Sequence, residues 1–421
     1  MTKNQKEIFV YDDFSSEEPL LMGTFFVNII RGEESYSFEY DKGWLEKTGM
    51  SLILDPELMP YFGRQYSSSN NIFGIFADTS PDRWGRVLMN KRERISADKE
   101  GRKPQKLYGS DYLLGVYDKT RMGGIRFKAS LDGPFLSDDI ETPVPLWTTL
   151  RTLEEASRNF ENDENGLSEK WLSQLINPGS SLGGARPKAT VADTNGNLWI
   201  AKFPSKNDEN DTGAWEMVVH ELAKICGLNV PEARLEKFSS YGSTFLTKRF
   251  DRNGEKRIHY ASAMTLLGKT DGASAADGSS YLDIASFIKS YGARPKEDLL
   301  ELWKRVVFNM AVTNTDDHLR NHAFILTDKG WILSPLFDVN PVPFGDELSL
   351  NVNEDDNRIN VELAIKTAVK FGIKESEAEK YAEEILIKVR DNWEKLALYY
   401  KLTCSQIENM RPAFCLAFKT Q

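Results

Sequence analysis

The chain changes its hydrophobic period partway along. Residues 7–40 run in short apolar stretches, Ile8-Phe-Val-Tyr11, Leu20-Leu-Met22, Thr24 to Ile30 and Tyr36 to Tyr40, separated by turns such as Arg31-Gly-Glu-Glu34. That pattern predicts a small antiparallel sheet or barrel. Ser80 and Pro81 then read as the N-cap and first position of a helix running to Arg94. Residues 108–117 read as a short helix, and Arg121 to Phe127 as a tight turn into a strand. The Pro- and acid-rich segment Asp132 to Pro145 marks the expected domain boundary. Residues 146–176 have helical period, ending near Pro178. Two strands, Ala189 to Ala192 and Leu198 to Phe203, flank an Asn-Gly turn, a hairpin signal. An amphipathic helix follows over 212–227, stopped by Gly227, and strands are expected at 231–235 and 243–250. Beyond 260 the pattern is mostly helical, with helices expected at 281–290, 297–312, 359–372, 375–400 and 404–418 and a loop at 270–280.

These patterns predict an α+β chain: an N-terminal domain over 1–140 (β-rich 1–60, helical 73–118) and a second domain over 141–421. The second divides into a smaller lobe over about 141–255 and a helical lobe over about 256–421. Composition narrows the class. Of 421 residues 40% are hydrophobic, enough for sizeable cores, and no apolar run is long enough to span a bilayer. The net charge of −10 argues against a large direct contact with nucleic acid. The N-terminus lacks the apolar core of a signal peptide. Cys226, Cys404 and Cys415 have no metal-binding spacing, which points to a reducing cytoplasm, with Cys226 a small core residue.

The chemistry concentrates in Ala311 to Leu326, where Asp316, Asp317, His318 and Asn321 fall within six residues between apolar runs. A lone acid, Asp338, follows in Leu336-Phe-Asp-Val339. Phosphoryl transfer needs one carboxylate to orient a hydroxyl, and an amide and a carboxylate to hold Mg²⁺ against nucleotide phosphates. The Asp316 to Asn321 spacing matches that of base and metal ligand in kinase catalytic loops. Alone, the loop reads equally well as a helix-capping turn. Gly183 and Gly184 before a hairpin, with Lys202 in its second strand, add a phosphate-covering segment and a phosphate ligand. An edge lysine facing solvent is the bland alternative. Glu216 or Glu221 is placed to pair with Lys202, or to be a solvated face residue.

With these motifs in order, the chain resembles the HipA family, the serine/threonine-kinase toxins of HipBA-type toxin–antitoxin pairs. The resemblance rests on Phe76 to Arg86, Arg121 to Phe127, Ser181-Leu-Gly-Gly-Ala-Arg-Pro-Lys188, Lys202, Leu222-Ala with Gly227 and Val230-Pro231, Lys248 to Arg252, Asp316 to Asn321, and Phe337-Asp338. It implies a two-lobed protein kinase-like C-terminal domain that uses ATP and Mg²⁺. Asp316 would be the catalytic aspartate, and Asn321 and Asp338 the metal ligands. Lys202, Gly183, Gly184, Ala185, Lys248, Phe250 and His318 would face the nucleotide, His318 chiefly by fixing the loop. Ser181 would be an autophosphorylation site that switches the kinase off. The family usually carries Glu at the place of Lys248 and Gln-Glu at Arg186-Pro187. Asp317 stands where many members have a different residue, and either alters metal affinity or does nothing. The implied partners are a HipB-like helix-turn-helix antitoxin that carries operator DNA, and a protein substrate such as an aminoacyl-tRNA synthetase. The competing expectations are a catalytically weak kinase-fold partner of a DNA-binding antitoxin and a small-molecule phosphotransferase.

Overall fold

Alternation along the first strands becomes a five-stranded antiparallel sheet in a computed structural model that describes residues 5–48, 53–68, 71–137, 144–162, 172–176, 184 and 186–418. The sheet runs β4-β3-β2-β1-β5, where β1 is Gln5–Asp12, β2 Leu20–Ile30, β3 Glu33–Tyr40, β4 Arg64–Tyr66 and β5 Ile125–Lys128. The inward positions of β1 are Ile8, Val10 and Asp12, every second residue, as one buried face requires. Aromatic rings fill the core beneath: Phe76 stands 5.0 Å from Phe25, 5.5 Å from Phe38 and 5.7 Å from Phe127, all in edge-on contacts.

The chain divides into two compact units, Met1–Asn207 with Lys248–Ala261, and Asp208–Thr247 with Ser262–Gln421. The segment around Asp132 to Pro145, expected to separate domains, falls inside the first unit. Its helix Arg83–Lys99 starts later than expected and runs further. Asp82, not Ser80, is the N-cap, and its carboxylate accepts the Arg83 N–H at 2.7 Å. Ser80 instead bonds back to the Phe76 carbonyl at 3.0 Å, finishing the short preceding helix Gly74–Ala77. The expected hairpin is present as β6 (Lys188–Ala192) and β7 (Leu198–Lys202), in register Lys188 to Lys202.

The first unit is locked by buried charge. Asp251 accepts hydrogen bonds from Arg249 (2.6 and 2.9 Å), Arg252 (2.7 Å) and the Gly123 N–H (2.8 Å). Asp118 binds Arg126 at 2.5 Å and Arg257 at 3.2 Å. Arg121 gives its guanidinium to the carbonyls of Thr79, Leu113, Val116 and Leu136. Burial opposes ionisation of Asp251, yet Arg249 and Arg252 outweigh it and hold the carboxyl well below the usual range. The motifs Arg121 to Phe127 and Lys248 to Arg252 thus carry a scaffold, and the segment 248–261 belongs to the first unit because this cluster holds it there.

The second unit is mainly helical. Asp211 caps the helix Thr212–Ile225 through the Ala214 N–H at 3.1 Å and also receives Ser243 N and Oγ, both at 2.8 Å. That helix packs on Glu375–Tyr399, and Cys226, just past its end, is buried as expected, its thiol pushed up to about 12 by burial. The central helix Pro295–Ala311 starts with Pro at its first position and Glu297 and Asp298 in its first turn, favourable at a helix N-terminus. It packs against Tyr281–Tyr291 and Glu375–Tyr399, and from Arg305 to Ala311 it is wholly buried. The hairpin Ala323–Thr327 and Gly330–Leu333, closed by Asp328 and Lys329, departs from the expected helical pattern. The strands β8 (Ala233–Glu236) and β9 (Thr244–Lys248) pair antiparallel. Among the described residues no helix is long and apolar enough to cross a membrane.

Candidate active-site loop

The buried end of the helix Pro295–Ala311 delivers the chain into the acidic loop. Thr313 ends the helix at φ +50, an unfavourable conformation for a β-branched residue, and its hydroxyl donates to the Ala413 carbonyl at 2.7 Å. Asp316 is exposed. Its backbone carbonyl accepts the His318 N–H at 3.0 Å and the Asn321 side-chain amide at 2.9 Å, and Asn321 N–H returns to the His318 carbonyl at 2.8 Å. The loop is therefore a closed turn with the exposed Asp316 at one corner and the buried Asn321 at the other.

Beneath it sits Asp317, 1% exposed. Its Oδ2 accepts three hydrogen bonds, from Tyr281 Oη at 2.7 Å, Asn309 Nδ2 at 2.7 Å and His322 Nε2 at 2.8 Å. Burial alone would raise its carboxyl. The His322 ring and the bonds from His322 and Tyr281 outweigh this and hold it below the ordinary value. Burial and the Asp317 charge push the Tyr281 hydroxyl well above its ordinary value. Asp317, open in the sequence between a metal role and none, forms one buried pair with His322. Tyr281 and Asn309 have no place in the sequence reading of the site. The available signal was Asn309 itself, a lone amide in the apolar run Val306 to Val312.

The hairpin brings Asp338 back toward this loop. Ser334 N–H bonds the Ala323 carbonyl at 2.9 Å, so Asn321 and Asp338 leave the same end of the hairpin. The following segment is tied to the loop by Val342 N–H to the Thr313 carbonyl at 3.1 Å and by Asn340 N–H to Asn314 Oδ1 at 3.4 Å. Gly345 lies flush on Thr315: a Cβ there would meet Thr315 Cγ2 at 2.2 Å. Asp338 has φ +57, a left-handed conformation that Asp tolerates better than most residues. An amide oxygen and a carboxylate are the hard donors that Mg²⁺ takes when phosphate and water complete its shell. Among the described residues no group of three or more His, Cys, Asp or Glu could hold a metal without such help. His318 is half-buried, its Nε2 3.5 Å from Arg320 Nη2. With Arg320, Met264, the 270–274 segment and Ser349 it lines a cavity of about 190 Å³.

The nucleotide-facing candidates divide between the units. Lys202 is buried in β7 of the first unit, Phe250 lies 6.2 Å from Tyr260 in the same unit, and Lys248 ends β9. Glu216, buried, and Glu221, half-buried, lie on the helix Thr212–Ile225 of the second. Ser181, Gly183 and Ala185 lie outside the described residues. Gly184 is described: its N–H donates to the Asp82 carboxylate, and its carbonyl accepts the Trp84 N–H at 3.2 Å. Its φ of +83 is a conformation that glycine adopts without the strain a side chain would bring. Trp84 Nε1 also donates to the Lys188 carbonyl at 3.0 Å. Asp82 and Trp84 of the Pro-Asp-Arg-Trp motif are thus in contact with Gly184, from a motif read separately in sequence.

Comparison with known proteins agrees with this architecture. Residues 180–393 match the HipA-like C-terminal domain and residues 20–103 the HipA N-terminal domain. The solved HipA of Shewanella oneidensis MR-1, determined with HipB and operator DNA, superposes with a TM-score of 0.68 over 97% of this chain and 96% of that one, at 17% identity. Two proteins of Sinorhizobium fredii are similar in sequence. "Putative kinase Y4mE" is 32% identical over 149 residues, 33% of each chain. "Putative kinase Y4dM" is 26% identical over 264 residues, 58% of this chain and 57% of that one. The aligned region thus spans about a third of one relative and just over half of the other. The C-terminal match alone takes in half of the sequence, and with the N-terminal match and the shared fold it shows that the chain belongs to the HipA family.

Proposed function

We propose that the chain is an ATP- and Mg²⁺-dependent serine/threonine-protein kinase that acts in the cytoplasm as the toxin of a toxin–antitoxin pair. The observation that carries this reading is the closed loop with Asp316 and Asn321 at its corners, to which the hairpin and the Asn340 and Val342 bonds tie the segment of Asp338. Asp316 accepts or orients the proton of the attacking hydroxyl. Asn321 and Asp338 hold the cation, which when bound neutralises the charge of the transferring phosphate. Lys202, Gly183, Gly184, Ala185, Lys248, Phe250 and His318 are assigned to the nucleotide on their motifs. Membership of the HipA family and two relatives named as kinases support the activity. The HipB and operator DNA bound to the Shewanella protein support a helix-turn-helix antitoxin as partner, with DNA contacted mainly through it. The acidic net charge is compatible with that division of labour. A translation component such as an aminoacyl-tRNA synthetase is the proposed substrate, and Ser181 the self-limiting site.

The test is transfer of label from γ-labelled ATP to the protein itself and to a bacterial lysate. Transfer is expected with Mg²⁺ and abolished by EDTA, with Ser181 identified by mass spectrometry and label on the protein lost in Ser181→Ala. Absence of Mg²⁺-dependent transfer to either acceptor would sink the kinase assignment. A second expectation concerns Asp338. Asp338→Ala should weaken ATP binding by roughly 10- to 100-fold in the presence of Mg²⁺ and leave metal-free binding unchanged, as read by calorimetry. Equal loss with and without Mg²⁺ would remove Asp338 from the metal site.

A further inference from the structure

We propose that Asp317 is a positioning residue: paired with His322 and anchored by Tyr281 and Asn309, it sets the orientation of the two corner residues of the loop. This rests on the kinase reading above and deepens it. Asp317 follows Asp316 directly and His322 follows Asn321 directly. The 2.8 Å bond between Asp317 and His322 therefore staples the loop from below, one residue inside one corner and one residue outside the other. A six-residue turn closed only by its own bonds would have freedom at both corners. Here the staple removes it, because both partners are buried and cannot exchange their bond for water.

The staple is itself tied to rigid elements. Tyr281 opens the helix Tyr281–Tyr291 and is fully buried, and Asn309 lies in the wholly buried end of Pro295–Ala311. Asn309 also passes the constraint onward. Its Oδ1 accepts from Asn314 Nδ2 at 3.1 Å, and Asn314 Oδ1 receives the Asn340 N–H, two residues past Asp338. One hydrogen-bonded path thus joins the loop floor to the segment that carries the second acid. A buried carboxylate with three donors on one oxygen is costly to assemble, and a well-packed apolar cluster would serve stability as well. Its placement directly under the corners is what distinguishes it from ordinary core.

Asp317→Asn tests this, because it keeps the volume but removes the charge and part of the acceptor capacity. Two measurements separate positioning from plain stability. In the protein without nucleotide, hydrogen exchange of the His318 and Asn321 amides should rise while that of the helix Thr212–Ile225 stays as in wild type. In transfer assays, kcat per folded molecule should fall roughly 10- to 100-fold with little change in KM for ATP. His322→Gln, which keeps an N–H near the place of Nε2, should recover most of the activity that His322→Leu loses. Wild-type kcat in Asp317→Asn, unchanged loop exchange, or a His322→Gln as inactive as the Leu variant would each overturn the proposal. A wild-type protein with no Mg²⁺-dependent transfer would instead sink the kinase reading, a result read before any variant is made.

Discussion

Asp316→Asn should abolish nearly all phosphoryl transfer and leave the protein otherwise intact. A positioned general base contributes roughly 10²- to 10⁴-fold to rate, and the amide cannot accept the hydroxyl proton. The loop should survive because the bonds that close it use the Asp316 backbone carbonyl, not its side chain. The side chain is exposed, so the change in stability should stay within about 0.5 kcal/mol. The measurement is the initial rate of label transfer at saturating ATP, beside calorimetric ATP affinity and a thermal melt. Loss of kcat with affinity and melting temperature retained is expected. A variant that still transfers phosphate within a fewfold of wild type would take the role of base away from Asp316, even with the family assignment standing.

Asp251→Ala should be the most damaging substitution in the first unit. It leaves Arg249 and Arg252, both largely buried, without their carboxylate, and removes the acceptor of the Gly123 N–H. Breaking a buried ion pair by deleting one partner costs about 3–5 kcal/mol, a large share of ordinary domain stability. The expected readout is a lower denaturation midpoint with early hydrogen exchange in 120–126 and 249–257. An unchanged midpoint would mean that the arginines find other acceptors. The same cluster gives a pH dependence. Because the folded Asp251 carboxyl lies below its unfolded value, its contribution is present above about pH 3.9 and is lost as pH falls through the depressed folded value. Acid should therefore loosen wild type more than a variant already lacking Asp251.

Much of this was legible in the sequence for a definite reason. Local periodicity records which face of an element is buried, so β1 to β3, the helix Thr212–Ile225 and the helices after 280 were recoverable within a few residues. The corner residues of the loop were visible because their spacing is local. What escaped depends on distance along the chain. Ala323 to Leu326 is too short an apolar run for its period to distinguish strand from helix. The Asp251 cluster pairs 118–126 with 249–257, and nothing in either segment alone announces the other. Ser80, followed by Pro81, carries a cap signal, but its hydroxyl bonds the Phe76 carbonyl and Asp82 caps the helix instead. Asn309 and Tyr281 matter because they bind the buried Asp317, a contact that neither position announces along the chain.

The hairpin of residues 323–333 behaves as a caliper. Its register, Phe324 opposite Leu333 and Thr327 opposite Gly330, determines how far apart Asn321 and Asp338 leave its open end, while the Asp328-Lys329 tip takes no part in setting that span. Residues added at the tip should thus be silent to the loop. A single residue added between 323 and 327 would slide every later pair and turn its side chains to the opposite face. The tip is consequently a position for a fluorophore or affinity tag that reports on the protein without altering the gauge of its chemistry.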